Sequence, residues 1–309
     1  MPTAPKKMMF ELSSICNYRC VGCPNPYLNR GNGHMPSDFL FKAFMDVGNK
    51  LEKAFLWLYG ESLLNPNIEE ILTGIKNYSA KKILSTNGWG IVDFQDISFL
   101  SSLDVLVISI NGITKESYAF HQKGGGLCKV LNGAKRVGNE LRDSSTILAI
   151  QTVVNKKNIE DIEKIREFSE ENGFDEFVLK SFNVMDGSKK TFERFVPEGT
   201  KYSRYEKNQN KSSSNRNNYP CLNGMALGFN GEVFPCCYDY NGQIRLGNLK
   251  QQEISEIWNS QKSKDFRRKI KNGKFLEMCT DCSNNSRIIK KWIFTDKERK
   301  QNGNQITKR

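Results

Sequence analysis

Over residues 8–182 the chain alternates short runs of β-branched and apolar residues with amphipathic segments. The runs at 8–14, 54–59, 82–86, 104–110, 146–153 and 176–182 have the length and composition of buried strands. Between them the apolar positions switch to helical spacing. Phe39, Leu40, Ala43, Phe44, Val47 and Leu51 fall on one helix face, as do Ile68, Ile71, Leu72 and Ile75, and Ile159, Ile162, Ile165 and Phe168. Asn158 is the predicted N-cap of the last of these helices and Gly173 its stop. Six strands alternating with helices predict an α/β fold built on a parallel sheet, and six units rather than eight predict a partial (β/α)6 TIM-like barrel.

The pattern breaks at 199–218, a polar stretch of low complexity that reads as a linker. A smaller α+β module begins near Tyr219. Within it Asn230-Gly231 predicts a two-residue hairpin turn between 225–229 and 232–234. The predicted organisation is a barrel over 1–198, the linker over 199–218, and a C-terminal module over 219–309 that ends in a basic tail. In parallel α/β folds ligands bind at the carboxyl ends of the strands. The polar and glycine-rich residues recur there: a cysteine loop after the first strand, Gly60-Glu61 after the second, Asn87-Gly88 after the third, Ser109 and Asn111 closing the fourth, and Asn155 after the fifth.

Composition adds little to the fold and more to the setting. With 309 residues, 38% hydrophobic and 26% charged, the chain has ordinary globular usage. No apolar run approaches the roughly 20 residues that span a bilayer, and the segment Met-Pro-Thr-Ala-Pro-Lys-Lys lacks the apolar core of a signal peptide. A cytoplasmic protein is expected, in which clustered cysteines bind metal more often than they form disulfides. The net charge of +12 concentrates at 262–274 and 287–309 and reads as a solvated basic surface.

The nine cysteines fall into two groups and a remainder. Cys16, Cys20 and Cys23 lie on one short loop, where three thiolates can hold three irons of a cubane cluster and leave the fourth open to a non-protein ligand. A structural zinc site would need a fourth donor, for which His34 is the nearby choice. Cys221, Cys236, Cys279 and Cys282 can close a tetrahedral zinc or a fully ligated 4Fe–4S cluster, and spacing alone does not separate the two. Cys237, next to Cys236, reads as a small core residue or as a thiol able to give up a hydrogen atom. Cys128 reads as core, and His34 and His121 as loop or polar-surface residues. Asp239 and Tyr240 are weaker candidates to face a substrate.

Cys-x3-Cys-x2-Cys after the first strand of a partial barrel resembles the radical S-adenosylmethionine (SAM) superfamily. In that family the open iron binds SAM, and the reduced cluster cleaves it to methionine and a 5′-deoxyadenosyl radical that abstracts hydrogen from an unactivated C–H bond. The segment Leu58-Tyr-Gly-Glu-Ser-Leu-Leu-Asn-Pro66 is similar to the family's Gly-Gly-Glu-Pro segment. The resemblance implies that Gly60 and Glu61 hold the methionine ammonium, and Tyr59 and Ser62 depart from it. Ser85 and Asn87, and Ser109 and Asn111, resemble segments that line the SAM pocket. Gly22 stands where an aromatic or large apolar residue often touches adenine, a contact that Tyr18 is expected to supply instead. Cys221-x9-Gly-x4-Cys236 with Cys279-x2-Cys282 resembles the SPASM/twitch extension, implying one auxiliary 4Fe–4S cluster beside the SAM-binding one.

A short chain with a four-cysteine extension is similar to enzymes that oxidise or epimerise secondary alcohols of sugars and aminocyclitols. The expected partners are such a small-molecule substrate and a flavodoxin- or ferredoxin-type reductant, with no membrane. The alternatives are an enzyme that matures a ribosomally made peptide or a protein side chain and, from another class, a zinc-stabilised nucleic-acid-binding protein. Against the last, the basic residues lack interleaved stacking aromatics and the three-cysteine loop would have no role.

Overall fold

In the computed structural model, residues 3–185, 187–205, 219–279, 282, 288–295 and 297 are described. The six expected strands form: β1 (Lys7–Phe10), β2 (Lys53–Phe55), β3 (Lys81–Thr86), β4 (Val105–Ser109), β5 (Ile147–Val154) and β6 (Glu176–Ser181). They lie side by side in chain order, all parallel. Unbroken chain order is the arrangement of a barrel wall, and here the wall stays open.

Side-chain alternation shows why these segments are strands. Met8, Phe10, Ala54, Leu84, Leu106, Ile108, Leu148, Ile150, Phe177 and Leu179 are at most 1% exposed and share one core with the helices on the outer face. That layer holds α1 (Ser37–Val47), α2 (Ile68–Gly74), α3 (Lys115–His121), α4 (Leu127–Leu141) and α5 (Ile162–Glu171), whereas α6 (Lys189–Phe195) packs Phe192 and Phe195 with Phe182 and Val184 in a second, smaller cluster. The other parity faces inward, and there Met9, Phe55, Ile83, Ser85, Val107, Ser109, Gln151, Val153 and Lys180 keep partial exposure. Register aligns them in rows across the sheet: Met9–Phe55–Ile83, then Ser85–Val107, then Ser109–Gln151, then Val153–Lys180. The concave face is apolar at its amino end and polar at its carboxyl end.

The C-terminal module extends the same sheet. Strand β7 (Gly224–Leu227) pairs parallel with β1, β8 (Glu232–Phe234) returns antiparallel on β7, and β9 (Gly247–Asn248) pairs with β8. Helices α7 (Ile254–Asn259) and α8 (Gln261–Lys271) complete it, with Trp258 1% exposed and the Arg267 guanidinium 3.8 Å above its ring. Among the described residues no helix is long and apolar enough to cross a membrane.

Several sequence expectations need correction. Helix α5 starts at Ile162 after Asp161, because the Asn158 side chain is engaged elsewhere: it donates to the carbonyls of Asn111 and Val153 at 3.0 Å each and accepts from Asn155 N–H. The hairpin forms, but its turn is Gly228–Gly231, closed by Gly231 N–H to Gly228 O at 3.0 Å, longer than a two-residue loop. Part of the expected basic tail is a strand, β10 (Ile288–Ile293), antiparallel on β6 with Trp292 stacked on Phe177 at 5.2 Å. It covers the sheet edge that an open barrel leaves unpaired. Cys128, expected in the core, is exposed near the start of α4. Of the expected linker, 199–205 is ordered against the barrel, and 206–218 lies outside the described residues, as does 298–309 of the tail.

Candidate active site

The loop carrying Cys16, Cys20 and Cys23 leaves the carboxyl end of β1 and is strapped to the end of α3. Arg19 N–H donates to Lys123 O at 2.9 Å, Val21 N–H to His121 O at 3.0 Å, and Cys23 N–H to Cys20 O at 3.2 Å. Gly22 adopts a left-handed φ of 77°, and a Cβ there would meet the Phe182 ring at 3.1 Å. Phe182, from the end of β6, therefore occupies the space beside the third cysteine, a role the sequence did not reveal. Burial raises the thiol pKa values, that of Cys16 to about 12, with the neighbouring Glu61 and Cys23 adding to it. Cys20 and Cys23 are raised by burial as well. Buried thiols with no cation beside them ionise readily only when a metal takes the proton's place.

Gly60 and Glu61 meet this loop directly. A Cβ on Gly60 would lie 2.0 Å from the Ser13 carbonyl oxygen, and Glu61 N–H donates to Ile15 O at 2.9 Å. The Glu61 carboxylate accepts from Leu63 N–H at 3.1 Å, Thr86 Oγ1 at 2.7 Å and Asn87 N–H at 2.8 Å. Burial pushes its pKa up while these donors pull it down. The carboxylate thus ties the end of β3 to the cysteine loop. Among the described residues the Tyr59 and Gly60 carbonyls accept no hydrogen bond, which leaves them as acceptors for an ammonium.

The other expected SAM contacts divide into two kinds. Asn87 links its Nδ2 to Asn17 Oδ1 at 2.8 Å, and Asn111 accepts from Val153 N–H at 2.7 Å, so both side chains are spent within the protein. Ser85 and Ser109 point into the concave face with no side-chain partner among the described residues. Tyr18 borders the polar cavity beside Cys16, but it is 1% exposed and its hydroxyl pairs with Tyr118 at 2.8 Å. It shapes the loop from below. His121 is also buried, packed on Phe182 at 5.4 Å with its pKa lowered to about 4 by burial, which corrects its expected surface position.

Below the loop, the module brings in the second cysteine group. Cys221, Cys236 and Cys237 line an apolar cavity with Met9, Phe55 and Met225, at the floor of the concave face. Cys221 lies within electrostatic reach of Cys282, Cys279 and Cys237, Cys282 of Cys237 and Cys279, and Cys236 of Cys237 and Cys221, and burial raises the pKa of each of these thiols. The Asp239 carboxylate, a candidate to face substrate, instead accepts from Gln243 and Ile244 N–H at 2.7 and 2.8 Å. Tyr240 packs edge-on to Tyr59 at 6.1 Å. The Tyr59 hydroxyl is buried without a hydrogen-bond partner and faces thiols of both groups, Cys237, Cys236 and Cys23.

Two residues that no local motif marks hold loop and module together. The Arg30 guanidinium grips Glu11 with both arms, Nη1 at 2.6 Å, donates Nε–H to Tyr240 O at 2.7 Å, and stands over the Phe229 and Phe234 rings. Their side chains are 2% and 0% exposed. An alternating apolar pattern broken by an acid at Glu11 was the one signal available.

The donor sets suit iron–sulfur clusters. A cubane spreads its thiolates over separate irons. An α/β barrel with an open three-thiolate loop at its carboxyl rim and a cysteine-rich extension at its floor defines an iron–sulfur enzyme. Residues 10–169 match the radical SAM superfamily and 221–283 match the SPASM iron–sulfur cluster-binding domain. The chain belongs to the radical SAM superfamily. Its cofactors are SAM with its 4Fe–4S cluster and auxiliary iron–sulfur in the SPASM domain. It is 26% identical over 281 residues to the S-adenosyl-L-methionine-dependent 2-deoxy-scyllo-inosamine dehydrogenase of Niallia circulans, covering 89% of this chain and 91% of that one. In fold it is similar to BtrN, solved with AdoMet and 2-DOIA (TM-score 0.55, 18% identity, 94% and 97% of the chains). It is likewise similar to Streptococcus suis SuiB bound to S-adenosylmethionine (TM-score 0.63, 16% identity, 91% and 72%).

Proposed function

We propose that this radical SAM enzyme oxidises or epimerises a secondary alcohol of a small polyhydroxylated substrate, a carbohydrate or aminocyclitol, on the concave face of the barrel. One observation carries this reading: Ser85, Ser109, Gln151 and Lys180 project into that face with no side-chain partner among the described residues. Unpaired, enclosed hydrogen-bonding groups over an apolar floor are what a small polar ligand requires. The dehydrogenase relative, matched along nearly its whole length, supports the same substrate class.

In this reading Cys16, Cys20 and Cys23 hold the SAM-binding cluster, and the Tyr59 and Gly60 carbonyls receive the methionine ammonium. Cys221, Cys236, Cys279 and Cys282 hold the auxiliary cluster. The bound cofactors supply the 5′-deoxyadenosyl radical by one-electron reduction. Oxidation of an alcohol to a ketone would remove one hydrogen atom, one proton and one electron, and a cluster held by Cys221, Cys236, Cys279 and Cys282 would supply the electron acceptor. Epimerisation needs a hydrogen atom returned, a role this reading gives to Cys237, which lines the apolar cavity at the concave floor. A flavodoxin- or ferredoxin-type reductant docks on the basic surface that includes α8, with Lys264, Arg268 and Lys271. High salt should slow reduction by that protein and leave dithionite reduction unchanged.

The experiment is an anaerobic assay with candidate sugars and aminocyclitols in deuterated water. A dehydrogenase gives product two hydrogens lighter, and an epimerase gains one deuterium. A Cys237→Ala variant that epimerises at the normal rate removes Cys237 as donor. SuiB, also solved with its precursor peptide SuiA, favours the second reading, a peptide-modifying enzyme. Turnover of peptides and none of sugars would establish that reading and sink the first.

A further inference from the structure

The strand register lines up a row of charge that the SAM and substrate readings do not use. Lys7 is the direct partner of Lys53, and Lys53 of Lys81, across β1, β2 and β3. They share the parity of Met9, Phe55 and Ile83, so three ammonium groups stand in one row on the concave side, at the amino ends of the strands. Neighbouring strands lie about 4.8 Å apart, and the row therefore runs about 10 Å. Like charges opposite one another on adjacent strands are destabilising. Among the described residues none of the three ammonium groups has an ion pair or a hydrogen bond, and the adjoining acid, Glu52, is held by Lys6 at 2.7 Å. Lys7 and Lys53 are exposed and Lys81 is half-buried, so the row is open from outside.

The three-cysteine loop leaves the carboxyl end of β1, so SAM held there lies at the other end of the strands from the row. The row adjoins the second cysteine group instead. Lys7 lines one apolar cavity with Cys221, Cys236 and Cys237. Its N–H donates to Asn223 O at 3.1 Å, just after the 220–222 turn on which α8 packs. Of the three lysines only Lys7 lines that cavity, while Lys53 and Lys81 step away from it across the sheet. Offsetting charge on the auxiliary thiolates therefore accounts for one lysine and leaves two without a role.

We propose that Lys7, Lys53 and Lys81 form the docking surface for a small acidic electron-carrier protein, whose redox centre would then lie beside the cysteines of the auxiliary site. The inference rests on the reading that a protein reductant serves this enzyme, and it extends the contact from α8 to the amino ends of β1–β3. Carboxylates of the carrier pair with ammonium groups that have no partner in the described chain. Transient electron-transfer complexes bury little surface and are steered by charge, which suits a short row of exposed lysines.

The test is calorimetric binding to the reconstituted holoenzyme at low salt, with an oxidised plant-type 2Fe–2S ferredoxin and an oxidised flavodoxin as probes. The decisive variant is Lys53→Gln/Lys81→Gln, which leaves the cysteine cavity untouched and removes like charges. It should weaken carrier binding at least tenfold, whereas Lys53→Arg/Lys81→Arg should keep it within threefold. Lys115→Gln/Lys157→Gln, the same charge change at exposed positions near the carboxyl ends of the strands, should keep it within twofold. Equal carrier affinity in wild type and Lys53→Gln/Lys81→Gln overturns the proposal. If glutamines at 264, 268 and 271 then weaken binding, the reductant reading stands with its contact on α8. Failure of both carriers to bind wild type overturns the inference together with the reductant reading. A single-stranded RNA that loses affinity in Lys53→Gln/Lys81→Gln while the carriers do not assigns the row to nucleic acid and also overturns the proposal.

Discussion

Replacing Arg30 by methionine removes the pin between the cysteine loop and the C-terminal module. The guanidinium gives both arms to Glu11 and Nε–H to Tyr240 O, and packs 5.3 Å from the Phe234 ring centroid. In the variant Glu11, 0% exposed in its side chain, would keep only the Phe229 N–H at 3.3 Å. Removing one partner of a buried pair costs about 3–5 kcal/mol, because the remaining charge stays buried without compensation. Each kcal/mol moves the melting midpoint of a chain of this order of size by about 2–4 °C, so a fall of roughly 6–20 °C is expected. The double variant Glu11→Leu/Arg30→Met leaves no orphaned charge and should recover most of the loss. Thermal melts of the four members of the cycle, anaerobically reconstituted, measure this. An Arg30→Met midpoint within 2 °C of wild type would refute the reasoning, and so would a double variant less stable than the single one.

Gly60→Ala should abolish SAM binding while leaving most iron in place, since a Cβ at 2.0 Å from the Ser13 carbonyl oxygen must push the Gly60-Glu61 turn off the cysteine loop; calorimetric SAM affinity within twofold of wild type would contradict this. Backbone overlap of that kind costs about 1–3 kcal/mol or more. Cys20→Ser should remove about four irons and all 5′-deoxyadenosine formation, whereas Cys236→Ser should remove about four irons and spare SAM cleavage; equal loss of cleavage in both would mean the two cysteine groups do not hold separate clusters. His121 links stability to pH. Its folded pKa of about 4 lies below the ordinary 6.5, so the unfolded chain takes up a proton first as pH falls. Stability is complete above 6.5 and is lost between 6.5 and about 4, by about 2 kcal/mol at pH 5. Urea melts of His121→Phe should show a flatter pH 5–7 profile than wild type, and parallel profiles would remove His121 as the cause.

Much of the barrel was legible from periodicity alone. Each of the six apolar runs became a strand within a few residues, because a strand buried against helices reads as near-continuous apolar sequence. The two cysteine groups were legible because metal-ligand spacing is local. What failed was whatever depended on distant partners. Asn158 looked like a cap until Asn111 and Val153 supplied carbonyls for its amide. The partner of the Tyr18 hydroxyl, Tyr118, lies a hundred residues away and no local pattern announces it. The 288–293 segment looked like solvated tail because its lysines hide a strand that only the free edge of β6 calls for.

By itself, then, the sequence determined the strand order, the open three-thiolate loop and the second, four-thiolate set, since these rest on spacing within short segments. Tertiary structure decided which polar residues are spent and which remain free. Asn87, Asn111 and the Glu61 carboxylate are consumed in joining strand ends, while Ser85, Ser109, Gln151 and Lys180 face open space. The physical reason is that a hydrogen-bonding group is defined by what lies within about 3 Å of it, and for these residues that neighbour comes from another strand, helix or module.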